Sequence, residues 1–199
     1  MPDPAVPVTQ DQTASRGSHH RVPVSPEMAA IRGPRWTRAT RAAVGALHRL
    51  YEHHHGEPFF LEISGPDPGM SRTAFIAWCL DDGAMWLAYD GAAVVGFLWF
   101  SYIQPTLGVA NVDWAFLGGY PPRHSRQEAV FQQVFHYACQ DLKLRKTHLL
   151  ALTPQHDRIH LAHHLGFVPE GCLRQHFFHD GSLRDLLCFG HREASDGQG

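Results

Sequence analysis

The sequence has no long hydrophobic run. Its longest apolar stretches, such as residues 92–100, fall far short of the roughly 20 residues that span a bilayer, so no membrane association is expected. The first residues are proline-rich and polar and lack the apolar core of a signal peptide. Cysteine is scarce. Cys79, Cys139, Cys172 and Cys188 form no C-x-x-C pair, which fits free buried thiols in a reducing cytoplasm better than a disulfide framework. Charge of one sign is also missing: 17 basic residues face 19 acidic ones, for a formal charge of −2. That balance excludes the broad basic surface needed to hold nucleic acid, and no nucleic-acid partner is expected. There is no G-x-S-x-G, no phosphate loop of the G-x-x-x-x-G-K-[ST] kind and no Cys–His signature, so hydrolase and nucleotide-hydrolase readings have no support.

What is present suits one domain with tails. The 199 residues are 44% hydrophobic and 11% aromatic, enough for a packed core. Residues 1–35 hold six of the fourteen prolines and few large apolar side chains. Such a segment buries too little surface to offset its ordering entropy and reads as a flexible tail. The domain is expected over 36–192, with 193–199 as a disordered end.

From Thr37 the pattern reads as helical, with Ala43, Leu47, Leu50 and Tyr51 on one face and His53, His54 and His55 at its C-terminal end. A second helix begins at Ser71 and buries Phe75 and Trp78. Residues 84–89 and 93–102 read as a hairpin turned at Asp90-Gly91, and 109–117 as a third strand. A helix over 125–142 presents Phe131, Val134, Phe135, Ala138 and Leu142, and 148–152 is a short buried strand. Thr153-Pro154 reads as a helix start, with Thr as N-cap, and Gly166 as its stop. Two strands, 167–178 and 182–189, flank a His179-Asp180-Gly181 turn. The aromatic residues Trp86, Phe97, Trp99, Phe100, Tyr102, Trp114 and Phe116 are expected mostly in the core.

The run Leu165-Gly166-Phe167-Val168-Pro169-Glu170-Gly171-Cys172-Leu173-Arg174, continued by Asp180-Gly181-Ser182-Leu183-Arg184-Asp185, resembles the signature of GNAT-type acyltransferases, in the branch that includes ribosomal-protein N-terminal acetyltransferases. The order of elements is similar as well. The resemblance implies an α/β (α+β) fold: a mixed, mostly antiparallel sheet flanked by helices, with a V-shaped splay between two parallel central strands, here 109–117 and 148–152. It implies acetyl-CoA or another acyl-CoA as co-substrate, lying in that splay, and an amine acceptor that attacks the thioester carbonyl directly. Val109, Val112, Trp114 and Phe116 would line the donor, and backbone N–H groups on Val109 to Asp113 would polarise the carbonyl. The pyrophosphate would sit on Arg123, His124, Ser125, Arg126, Gln127 and Ala129 at a helix N-terminus.

This chain departs from the family pattern in several places. Gln127 stands where a loop glycine is usual, and its Cβ crowds the phosphates while Arg123, His124 and Arg126 supply charge. Gln155 replaces the usual Asn, Arg158 a frequent Ser, and Ala162 the tyrosine that protonates the leaving thiolate. With a thiol pKa of about 8.5, losing that acid is survivable near neutrality. An amine of pKa about 10.4 needs a base more. Asp113 is the first candidate, its alternative being a structural carboxylate capping tryptophan or backbone donors. Glu62 is the second, and His160 a minor one.

Sixteen histidines invite a metal reading. His156, His160 and His164 repeat at i, i+4, i+8, but no H-E-x-x-H completes a zinc set, so solvent-facing residues are the simpler reading and no metal is expected. Lys143, Arg145 and Lys146 suit a helix C-terminus, and the resemblance also implies contact with the adenosine phosphate as their alternative role. The leading expectation is an acyl-CoA-dependent N-acyltransferase acting on a small amine, a peptide or a protein N-terminus, with a homodimer possible. Its rivals are a GNAT-fold binding or assembly module without catalysis, and an enzyme using a carrier-protein or long-chain acyl donor.

Overall fold

The computed structural model describes residues 34–54, 71–81, 84–117, 125–153, 155–179 and 181–193. Residues 1–33, Glu62, Arg123 and His124 lie outside the described residues, as do the side chains of Trp78, Ser125, Arg126 and Gln127.

Seven strands form one sheet in the order β1-β2-β3-β4-β5-β7-β6. They are β1 (Arg35–Arg38), β2 (Ala84–Asp90), β3 (Ala93–Gln104), β4 (Val109–Phe116), β5 (Lys146–Leu152), β6 (Val168–His179) and β7 (Ser182–Arg192). The helices are α1 (Val44–His54), α2 (Arg72–Asp81), α3 (Ser125–Asp141) and α4 (His156–His164). Among the described residues only β4 and β5 pair in parallel; the other pairings are antiparallel. This is the mixed, helix-flanked sheet the resemblance implies.

Strand alternation sends side chains to two different cores. Ala84, Trp86, Ala88, Leu98, Phe100, Val112 and Trp114 meet Phe131, Val134 and Phe135 of α3, Leu161 of α4 and Leu165 just beyond it. Met85, Leu87, Phe97 and Trp99 meet Leu47 and Leu50 of α1 and Phe75 and Cys79 of α2 on the opposite face. Fully burying one such side chain contributes about 1.5–3 kcal/mol. Gly91 (φ +58°) makes the β2–β3 turn and Gly166 (φ +81°) follows α4, both in the left-handed region that glycine tolerates.

Three local expectations are corrected. The chain at Thr37 is a strand, not a helix: β1 pairs with β2 and buries Trp36 against Phe116 and Phe131, and α1 begins at Val44 after a short turn. Thr153 does not cap α4. Its N–H donates to Asp185 C=O (3.2 Å), prolonging the β5–β7 ladder, and Gln155 is the N-cap residue instead. Tyr102 is 69% exposed, because the β3–β4 register shifts between Ser101 and Gln104 and Tyr102 takes φ 49°.

Candidate active site between the parallel strands

The site begins where the parallel ladder ends. Val109 faces Lys146, Ala110 faces Thr147 and Asn111 faces His148, and there the pairing stops. β4 remains paired to β3 as far as Phe116, and β5 to β7 as far as Leu152, so beyond Asn111 the two strands part.

Parity fixes what the gap receives. Leu117 N–H donates to Val95 C=O (2.9 Å), so odd-numbered positions along β4 bond to β3. Val112, Trp114 and Phe116 therefore turn their N–H and C=O groups into the gap. By the same logic the Thr153–Asp185 bond turns Leu150 and Leu152 toward the gap from the β5 side. Val112 and Trp114 are buried through their side chains in the α3/α4 core, so what they offer the gap is backbone.

Three side chains reach these backbone groups. Trp114 N–H donates to Asp113 Oδ1 (2.7 Å). Arg158, from α4, donates through Nη1 to Trp114 C=O (3.1 Å) and through Nε to Leu150 C=O (3.2 Å), bridging both walls. Its Nη2 lies 2.5 Å from Asp113 Oδ1, an ion pair outside hydrogen-bond angles, and its guanidinium sits 5.3 Å from the centre of the Trp114 ring. Gln155 Oε1 accepts from Leu152 N–H (3.0 Å). Asp113 and Arg158 are each 11% exposed, so the pair is largely withdrawn from water. Strand alternation points Asp113 away from the α3/α4 layer, and Arg158 reaches it through the gap.

The residues named from sequence thus separate. Asp113, Gln155 and Arg158 converge on the splay, with the backbone of Val112, Trp114 and Phe116. Val109 lies at the paired end, against Lys146. Ala129 is half-buried near the start of α3, the helix that Ser125 opens. His160 is exposed, with its ring 4.5 Å from that of His164. A carboxylate that sequence spacing did not reveal, Glu128 of α3, comes within 3.9 Å of His164 and lies close to His160. The backbone faces of Leu150 and Leu152 were also missed, since only the β5–β7 register shows which way they turn. Lys146 pairs with Glu170 (2.8 Å), a contact that holds the Glu170 carboxyl below its ordinary range.

The gap fits an extended acyl donor in one respect: it presents a strand edge of backbone groups with no strand across from it. It departs in another, because Arg158 already occupies two of the carbonyls.

No protein-family model and no curated protein matches the sequence. Among solved structures the fold is similar to RimL, a ribosomal L7/L12 alpha-N-protein acetyltransferase, at 18% identity over 89% of this chain and 98% of that one, with a TM-score of 0.64. It is similar to the spermidine N-acetyltransferase of Vibrio cholerae in complex with CoA and spermine, at 17% identity over 79% and 95%, TM-score 0.61. It is also similar to a ribosomal-protein-S5-alanine acetyltransferase from Vibrio fischeri, at 9% identity over 80% and 94%, TM-score 0.62. Identities this low establish the fold, and the fold is that of the GNAT acyltransferases. No described helix is long and apolar enough to cross a membrane.

Proposed function

We propose that this chain is an acyl-coenzyme A-dependent N-acyltransferase whose acceptor is a primary amine of a small molecule, a peptide or a protein N-terminus. The observation that carries the reading is the parting of β4 from β5 after Asn111, which leaves the Val112, Trp114 and Phe116 backbone groups facing a gap. The likeness to acetyltransferases of polyamines and of ribosomal-protein N-termini supports the acceptor class. The donor, when bound, supplies an activated thioester carbonyl.

In this reading the chain contributes position and charge. Backbone N–H groups of β4 stabilise negative charge on the carbonyl oxygen as the amine adds, the effect that usually dominates such steps. Asp113 starts as the partner of Arg158. When Arg158 swings away from both Trp114 C=O and Asp113 as the donor enters, Asp113 is freed to take the amine's proton through water; the new C–N bond forms, the thioester C–S bond breaks, and coenzyme A leaves as a thiolate that takes its proton from solvent. Gln155 keeps the β5 wall in place. Arg123, His124 and Arg126, with the start of α3, meet the phosphates.

The Arg158 bridge favours a second reading. A guanidinium fixed to both walls and to a buried carboxylate is also how a chain would close a splay it no longer uses, leaving a binding module. Thiol release from acetyl-CoA with spermidine and with short amino-terminal peptides, followed in wild type and Arg158→Lys, separates the two. Turnover that falls in the variant supports the enzyme. Absence of turnover with every amine, together with unchanged donor binding in the variant, supports the module.

A further inference from the structure

A second cluster of polar side chains lies at the far end of α3, beside the paired end of β4 and β5. His136 Nδ1 is 3.1 Å from both carboxylate oxygens of Glu193, and His191 Nδ1 is 4.0 Å from Glu193 Oε2. The ligand atoms of all three lie within 4.8 Å of one another. His191 is only 7% exposed, and its Nδ1 has no hydrogen-bond partner among the described residues. A buried ring nitrogen left unpaired costs about 1–3 kcal/mol. It is nevertheless held in place: the His191 ring packs against Phe135 (5.0 Å between centres) and Phe167 (5.3 Å).

We propose that His136, His191 and Glu193 bind a zinc ion that ties α3 to the end of β7. Two imidazoles and one carboxylate are a zinc donor set, and bonds of about 2.0–2.1 Å put tetrahedral ligands roughly 3.3 Å apart. The His136–Glu193 distances already match, and closing the His191–Glu193 distance takes less than the length of one bond. With three protein ligands the fourth position falls to water. Because His191 faces Thr147 at the start of β5, the ion sits away from the splay and acts as a structural clamp.

The test uses the full chain stripped of metal by a chelator and titrated with zinc, and with cobalt(II) as a coloured reporter. One tight zinc per chain, a higher melting temperature and the absorption bands of tetrahedral cobalt are expected. His136→Ala and Glu193→Gln, both at partly exposed positions that leave the core intact, should weaken zinc binding by roughly a hundredfold or more. A Glu128→Gln, His160→Ala double variant should leave it unchanged. The proposal is overturned if wild type binds no zinc tightly, if the tight zinc survives in His136→Ala and Glu193→Gln, or if it is lost from the Glu128/His160 variant.

Discussion

The two ends of the β4–β5 pair solve the same problem differently. At the lower end, residues 109–111 and 146–148 satisfy each other strand to strand. At the upper end the strands have parted, and Asp113, Gln155 and Arg158 supply the missing partners from their side chains. Backbone groups withdrawn from water must be paired wherever they are. A ladder can be opened only by pulling strands apart, whereas a side chain can swing away. In the proposed function the upper end is the part of the sheet that exchanges its partners, and a ligand that offers an extended polar chain is what it exchanges them for.

Breaking the bridge should have the largest effect. Arg158→Ala leaves the Asp113 carboxylate buried without its cation, and a loss of about 3–5 kcal/mol is expected in denaturant unfolding. Adding Asp113→Asn should recover much of it, because the orphaned charge goes too. Gln155→Ala removes only the acceptor for Leu152 N–H, and a loss of about 1–2 kcal/mol is expected by the same method. At the paired end the sign should reverse. The Thr147 hydroxyl is buried with no hydrogen-bond partner among the described residues, so Thr147→Val is expected to be neutral or stabilising by up to about 1 kcal/mol in melting experiments.

The smallest effect is one of pH. Desolvation lowers the folded-state pKa of His191, with Glu193 opposing and His136 adding to the shift. Above the unfolded value of about 6.5 the ring is neutral in both states, and its contribution is fully present. As pH falls below that value the unfolded chain takes up the proton first, so stability declines until the folded pKa is passed. Melting temperatures recorded downward from pH 7 in metal-free protein should show this decline, and His191→Asn should flatten it.

How much of this was legible in the sequence follows the range of the interactions. The β2–β3 hairpin shows in its Asp90-Gly91 turn, α3 in the spacing of Phe131, Val134, Phe135 and Ala138, and the end of α4 in Gly166. These are local signals. β1 was not legible, because four residues at a sheet edge are a strand only through Trp36 packing under α3 and pairing with β2. Tyr102 was misread since alternation fails at a register shift. At the site, spacing picked out Asp113, Gln155 and Arg158 singly. Their meeting in one gap depends on α4 lying across the splay, and Glu128 meeting His164 depends on two helices packing side by side. No spacing within one element encodes either.

The central claim is that the splay takes up the acyl donor at the β4 edge. Amide chemical shifts of the full-length protein during titration with acetyl-CoA test it most directly. The claim predicts that Val112, Trp114 and Phe116 shift strongly while Ala110 and Thr147, in the paired ladder, hardly move. Saturating donor that leaves those three amides in place, or shifts only residues remote from the gap, would contradict it and leave Arg158 as a permanent strut.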